Sequence, residues 1–176
     1  MIELKRGTVR AVPLPREYET QSCPLARSLE IVGERWTLLI LRDLFFGVAR
    51  FSDLQRHLDI PRAVLSARLA SLVDAGLVER EPYRLTERGA DLWPAVHALM
   101  QWGEKHESPG GPRRVFGHVE CGTQIGPRGV CPRCEREPTA AELEMRAGPG
   151  ATAPIRDDAV TLALREPHRL MTPLTG

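Results

Sequence analysis

The fold class predicted is mainly α with a small β wing: a winged helix-turn-helix, followed by a small zinc-ribbon-like β segment. Three observations predict it. Between residues 22 and 107, apolar residues recur at helical spacing in segments that end on helix stops. Two short extended runs break that helical pattern near residue 80. Beyond the breaker-rich "ESPGGPRR", three of the four cysteines (Cys23, Cys121, Cys131, Cys134) cluster beside His118.

The chain divides into an irregular N-terminal arm (1–21), the helical zone (22–107), a linker (108–114), the Cys/His segment (115–147) and a Pro-rich tail (148–176). The first helix opens at Ser22 and Cys23, with Pro24 at its first position, where a missing N–H costs nothing. Leu25, Leu29 and Val32 form its apolar stripe, and Gly33 stops it. "ERWTLLILRDLFFG" is apolar almost all round, so it is expected as the buried centre, ending at Gly47. "RFSDLQRHLDI" gives a short helix with Ser52 as expected N-cap. "PRAVLSARLASLVDAG" (61–76) gives another, with Leu65, Leu69, Leu72 and Val73 on one face and Gly76 after its end. The extended runs Leu77–Arg80 and Tyr83–Leu85 follow. A long helix is then expected from the Thr86 cap, interrupted at Pro94, with Leu92, Val96, Leu99 and Trp102 on its apolar side. "PTAAELEMRA" reads as a short helical run, and the tail carries one apolar run from Val160 to Leu164.

A short helix, a tight turn, a second helix and a two-stranded wing make the order of a DNA-reading motif, in which the second helix enters the major groove. The side opposite Leu65, Leu69 and Leu72 carries Ala63, Ala67, Ala70 and Ser71, flanked by Arg62, Ser66 and Arg68. An alanine-lined outer face fits close approach to a groove, although alanine is also simply the best helix former. Arg50, Arg56, Arg80 and Arg84 are spaced for phosphate contacts. Charge alone does not decide: the net charge is +1, and residues 42–88 hold eight Arg against seven acids.

From Cys23 to His106 the sequence resembles the HxlR-type (MarR-like) winged-helix transcription regulators of bacteria. The resemblance rests on the Cys-Pro helix start, "ERWTLLILRDL", "RFSDL", "VLSARLASLVDAGLVER", and "LTERG" followed by the "QWG" helix. It implies a homodimer joined through the first helix and the long helix after the wing, with Trp93 and Trp102 expected at the dimer seam. It implies binding to double-stranded operator DNA of palindromic sequence, most simply as a repressor. Arg62, Ala63, Ser66 and Arg68 become base-proximal candidates; Arg50, Gln55 and Arg56 become backbone candidates. Trp36, Leu39, Leu65, Leu69 and Leu72 become core. Cysteines in the same "CP" position of similar proteins sense oxidants, quinones or electrophiles, which makes Cys23 a redox-sensing candidate. The helix dipole at its position favours thiolate; the plainer reading is a small residue at a helix start.

His118-x2-Cys121-x9-Cys131-x2-Cys134 has the form of the two knuckles of a zinc ribbon, with His replacing one Cys. Three thiolates and an imidazole suit tetrahedral Zn²⁺, and four protein ligands make a closed, structural site. A segment of about 30 residues with few apolar groups needs such a staple to fold. Unliganded thiols or a Cys131–Cys134 redox pair are the alternatives, the latter without βαβ context.

No apolar run approaches a membrane span, and the N-terminus has no secretory h-region, so the expected location is the cytoplasm. Phosphate-loop, GxSxG and HExxH motifs are all lacking, and His57, His97, His106 and His168 are scattered, so no enzyme is expected. Three functions remain open: a DNA-binding repressor or activator, with or without an oxidant, electrophile or small-ligand effector; a redox or small-molecule sensor whose DNA binding is weak or lost; and a zinc-dependent interaction module without DNA. The wing feeds the second. Only Glu81-Pro82 separates its runs, and proline cannot take the positive φ of a two-residue hairpin. Similar proteins carry a longer tip here, so either the strands barely pair or residues are missing between them, and the wing contacts of Arg80 and Arg84 depend on which.

Overall fold

The computed structural model describes residues 18, 20–108, 110–151 and 156–174; the arm's remaining residues, 1–17 and 19, lie outside it. Helix α1 (Pro24–Val32) starts at Cys23 and stops at Gly33 as expected. Helix α2 (Thr37–Phe45) begins later than its apolar pattern, because Trp36 sits at φ 80° and breaks the helix there. Its buried Ile40, Leu41 and Phe45 meet Leu54 of α3 (Phe51–Leu58) and Leu65, Leu69 and Leu72 of α4 (Arg62–Asp74) in one core. Ser52 does not cap α3: the helix starts one residue earlier, and Arg50 occupies the cap position. Leu39, expected in the core, is 41% exposed.

The wing pairs over only two residues a side. Strands β1 (Val78–Glu79) and β2 (Arg84–Leu85) are antiparallel, Val78 opposite Leu85 and Glu79 opposite Arg84. The loop is therefore four residues, Arg80 to Tyr83, with a cis Glu81-Pro82 bond and Glu81 at φ 53°. Tyr83 leaves the ladder and donates its N–H to Ala49 O at 3.0 Å. The strands of this wing thus barely pair.

Thr86 caps a single turn, α5 (Glu87–Ala90), accepting from Gly89 N at 3.1 Å. The chain restarts as α6 (Trp93–Glu107), with Pro94 in its first turn, so the interruption falls just before that proline rather than at it. Trp93 is buried within its own chain and does not reach an outer seam: its ring lies 5.1 Å from Phe45 and 5.0 Å, edge-on, from Phe116.

Phe116 belongs to β3 (Arg114–His118), so Trp93 joins the helical zone to the segment behind it. β3 pairs antiparallel with β4 (Leu143–Ala147), which pairs with β5 (His168–Arg169). "PTAAELEMRA" is thus not a helix: only Ala140–Glu142 make a 3₁₀ turn, and alternation of Leu143 and Met145 into the core makes the rest a strand. The tail is no appendage either. It forms α7 (Ala159–Ala163), buries Val160, Leu164 and Leu170, and donates Met171 N–H to Phe45 O at 2.7 Å. That bond satisfies a carbonyl left open at the end of α2. No helix among the described residues is long and apolar enough to cross a membrane.

Candidate nucleic-acid interface and metal centre

Burial of Leu65, Leu69 and Leu72 turns the other side of α4 outward, so Arg62, Ala63, Ser66 and Ala67 are exposed. Arg62 lies over the Phe51 ring at 5.1 Å, a cation–π contact that holds its stem at the mouth of the motif. Arg68 is placed differently from its neighbours: half-buried, it pairs with Glu34 at 3.1 Å on the α1–α2 side. Arg50 and Arg56 are exposed at the two ends of α3, and Gln55 is half-buried. Arg56 also accepts, through its carbonyl, a hydrogen bond from Arg156 at 2.8 Å. Arg80 and Arg84 are exposed on the wing, but Glu79 and Glu81 stand beside them, so the tip has no net positive field.

A second outward surface is apolar. Leu25 and Leu29 on α1, and Leu99 and Trp102 on α6, are all exposed, Trp102 at 59%. Single exposed apolar residues need no explanation, but four large ones on the first and last helices of one domain do.

Cys23 is exposed at the start of α1. Backbone N–H groups of Ala26 and Leu25 lower its pKa from the ordinary thiol value, without closing a full capping hydrogen bond. The neighbouring cation is occupied: Arg27 binds Glu30 at 2.8 Å and the carbonyls of Tyr18 and Gln21.

The structure brings His118, Cys121, Cys131 and Cys134 together, with their donor atoms all within 4.8 Å of one another. Two turns of the same construction do this. Gly122 N–H donates to His118 O at 2.8 Å, and Glu135 N–H donates to Cys131 O at 2.9 Å. Both donors have positive φ, 70° and 54°, which folds each x2 pair back on itself. His118 Nδ1 stands 3.4 Å from the sulfurs of Cys121 and Cys134, and the Cys121 and Cys131 sulfurs are 3.5 Å apart. His118 and Cys131 are fully buried. The Thr123 hydroxyl and N–H pull the Cys121 thiol down to about 6, whereas burial and the adjoining thiols push Cys134 up to about 11. Behind the imidazole, His118 Nε2 faces Arg136 at 3.2 Å and Glu120 at 3.7 Å; Arg136 is anchored to Glu142 at 2.7 Å. Such a set of three sulfurs and one nitrogen, two of its residues buried and two half-buried, can hold a metal ion.

One arrangement was missed in the sequence. Asp43, fully buried in α2, is bonded by Arg42 at 2.7 Å and lies 3.9 Å from His57, which in turn lies 3.3 Å from Asp158. Burial raises the Asp43 pKa, and its second oxygen has no hydrogen-bond partner. Partners more than a hundred residues apart leave no local pattern to read.

Comparison with known proteins places these features. The family model described as HxlR-like helix-turn-helix matches residues 31–110. The HTH-type transcriptional regulator Rv3095 of Mycobacterium tuberculosis is 47% identical over 150 residues, covering 80% of this chain and 94% of its own length. A match of that extent runs past Cys134 wherever it begins. YdeP of Bacillus subtilis, also an HTH-type transcriptional regulator, is 30% identical over 97 residues, covering 49% of this chain and 76% of YdeP. Among solved structures, PA1607, assigned as a transcription factor, aligns with a TM-score of 0.55 at 30% identity, covering 79% of this chain and 98% of its own.

Proposed function

The chain belongs to the HxlR-like helix-turn-helix family of transcription regulators, which are not enzymes, and from that premise we propose that it is a homodimeric repressor of a palindromic operator. In this reading it works in the bacterial cytoplasm, and each protomer lays α4 in a major groove. The carrying observation is the outward side of α4, where Arg62, Ala63 and Ser66 are exposed while the opposite leucines are buried. Arg62 reaches base edges, Ala63 admits thymine methyls, and the Ser66 hydroxyl bonds a base-edge donor or acceptor. Arg50, Gln55 and Arg56 hold phosphates, with Arg80 and Arg84 as weaker wing contacts. Arg68 supports the motif through Glu34 and touches bases only if that pair opens. The exposed leucines of α1 and α6, with Trp102, form the dimer seam.

The metal is zinc. Donors around a tetrahedral Zn²⁺ with sulfur and nitrogen ligands stand roughly 3.5–3.8 Å apart, close to the 3.4–3.5 Å of the His118–Cys121, His118–Cys134 and Cys121–Cys131 pairs, in a set whose donors all lie within 4.8 Å. Bound there, it cross-links the end of β3 to the second knuckle and so braces the three-stranded sheet.

Cys23 supports a second reading, a redox sensor that releases DNA on oxidation or electrophile attack, because its thiol is exposed and its pKa lowered. The short wing favours a version of that reading in which DNA binding is weak. A zinc-dependent interaction module is what remains if DNA binding is lost altogether.

Selection of bound DNA from a random pool, with and without diamide, tests the proposal. A palindrome whose binding weakens steeply with salt supports it; no enrichment leaves the interaction module. Enrichment lost with diamide in wild type but kept in Cys23→Ser supports the sensor.

A further inference from the structure

One cavity of about 530 Å³ opens between α2, α6, the start of β3 and α7. Its floor is apolar, formed by Phe46, Met100 and Leu164, with Ala147 and Ala151 at the side. Its rim carries five guanidinium groups: Arg42, Arg113, Arg114, Arg156 and Arg165. Two of them are neutralised within the fold, Arg42 by Asp43 and Arg156 by Asp158 and Asp59. The other three have no carboxylate within 4.0 Å among the described residues.

Of these three, Arg114 is half-buried, and its burial and the charges of Arg113 and Arg42 lower its pKa. The acids that share the cavity do not answer it. Glu104 accepts from Gln101 at 3.0 Å and from the backbone N–H of Arg114, and burial raises its pKa, but its carboxylate makes no ion pair with the Arg114 guanidinium. Glu107 is exposed at the end of α6. Arg113 and Arg165 are exposed, so the cost falls on Arg114, a partly desolvated cation with Arg113 and Arg42 beside it and no carboxylate on its guanidinium, which an anion would relieve.

We propose that this cavity binds a small organic anion, an apolar body carrying a carboxylate, with its charge on Arg114, Arg113 and Arg165 and its body against Phe46, Met100 and Leu164. The volume suits a molecule of that kind, and guanidinium is the group that grips carboxylate in two-pronged geometry. Arg42 and Arg156 line the cavity too, but their charges are already paired with carboxylates. His57 of α3 lines the same cavity, so the occupant sits against the helix-turn-helix itself. Its effect on DNA rests on the operator reading above; its binding does not.

The test uses the full-length protein and naphthoate as probe, with the neutral naphthamide as control, by isothermal titration. Saturable binding of naphthoate at one per chain is expected, with no saturation for the amide. Arg114→Gln should weaken binding by about tenfold or more, the loss of one charge-assisted pair. Arg165→Gln, an exposed substitution that leaves the core untouched, should weaken it several-fold. No saturable binding of naphthoate, equal binding of the amide, or unchanged binding in both variants overturns the site. Naphthoate that binds but leaves the affinity for selected DNA unchanged overturns its link to regulation alone. A chain that binds no DNA overturns the operator reading and leaves the titration decisive for the cavity.

Discussion

His57 Nδ1 lies 3.3 Å from Asp158 Oδ1, which ties the first helix of the helix-turn-helix to α7 near the end of the chain. Asp158 also caps α7, accepting from Thr161 N at 3.0 Å and from the Thr161 hydroxyl at 2.6 Å. Asp158→Ala should therefore lower stability by about 1–2 kcal/mol in urea titration, the usual value of a lost cap. Asp158→Asn keeps the cap and should cost less. Burial works to raise the Asp158 pKa, but the Thr161 bonds and the His57 charge outweigh it and lower it. Its contribution is thus complete above the ordinary carboxylate pKa and lost as pH falls below it.

Gly47 sets the docking of the tail. It holds φ 83°, and a Cβ there would collide with the Thr172 carbonyl oxygen. Gly47→Ala should cost about 1–3 kcal/mol from the backbone alone and lift residues 170–174 from the end of α2. Amide exchange reads this at Met171 and Leu174, whose N–H groups bond Phe45 O and Gly47 O. Unaltered protection at both would contradict the tail's place in the fold.

His97 is buried against Trp93 and Phe116, and burial lowers its pKa. The unfolded chain then takes up a proton that the folded chain resists. Stability is full above the ordinary histidine pKa and is lost as pH falls from there through the lowered folded value. Between pH 7.5 and pH 5.5, His97→Phe should lose less stability than wild type in thermal melts. Equal losses would remove His97 from the account.

One zinc per chain is expected by metal analysis, and removal by a chelator should lower Tm by about 5–10 °C, the shift that 2–3 kcal/mol gives a chain of this size. Cys131→Ser, at the fully buried ligand position, should abolish the metal and reproduce the shift. A metal-free protein with an unchanged melt would leave the four residues a plain polar cluster.

Helix positions and the Cys/His set were legible because their signals are local. Leucines three and four apart mark α4, and the two x2 pairs mark the turns that converge on one point. Partnerships across long separations were not legible. Trp93 was expected at an outer seam, yet Phe116 from beyond the linker covers it; no spacing in the helical zone announces that. Leu143 and Met145 alternate in a stretch rich in Ala and Glu, and helix propensity masked the strand that β3 and β5 stabilise from either side. Of the cavity arginines Arg42 lies in α2 and Arg114 in β3, while Arg113 precedes β3 and Arg156 and Arg165 flank α7, so only folding assembles them.

Ser66 stands exposed on the outward side of α4, where a substitution changes that outer surface and nothing in the core. Fluorescence anisotropy on the selected operator, for wild type and Ser66→Glu at two salt concentrations, tests the central claim most directly. The account predicts binding by wild type that falls steeply with salt, and a loss of about tenfold or more in Ser66→Glu from placing a carboxylate beside base edges and phosphate. Equal affinity of the two proteins, or wild-type binding indifferent to salt, would contradict it.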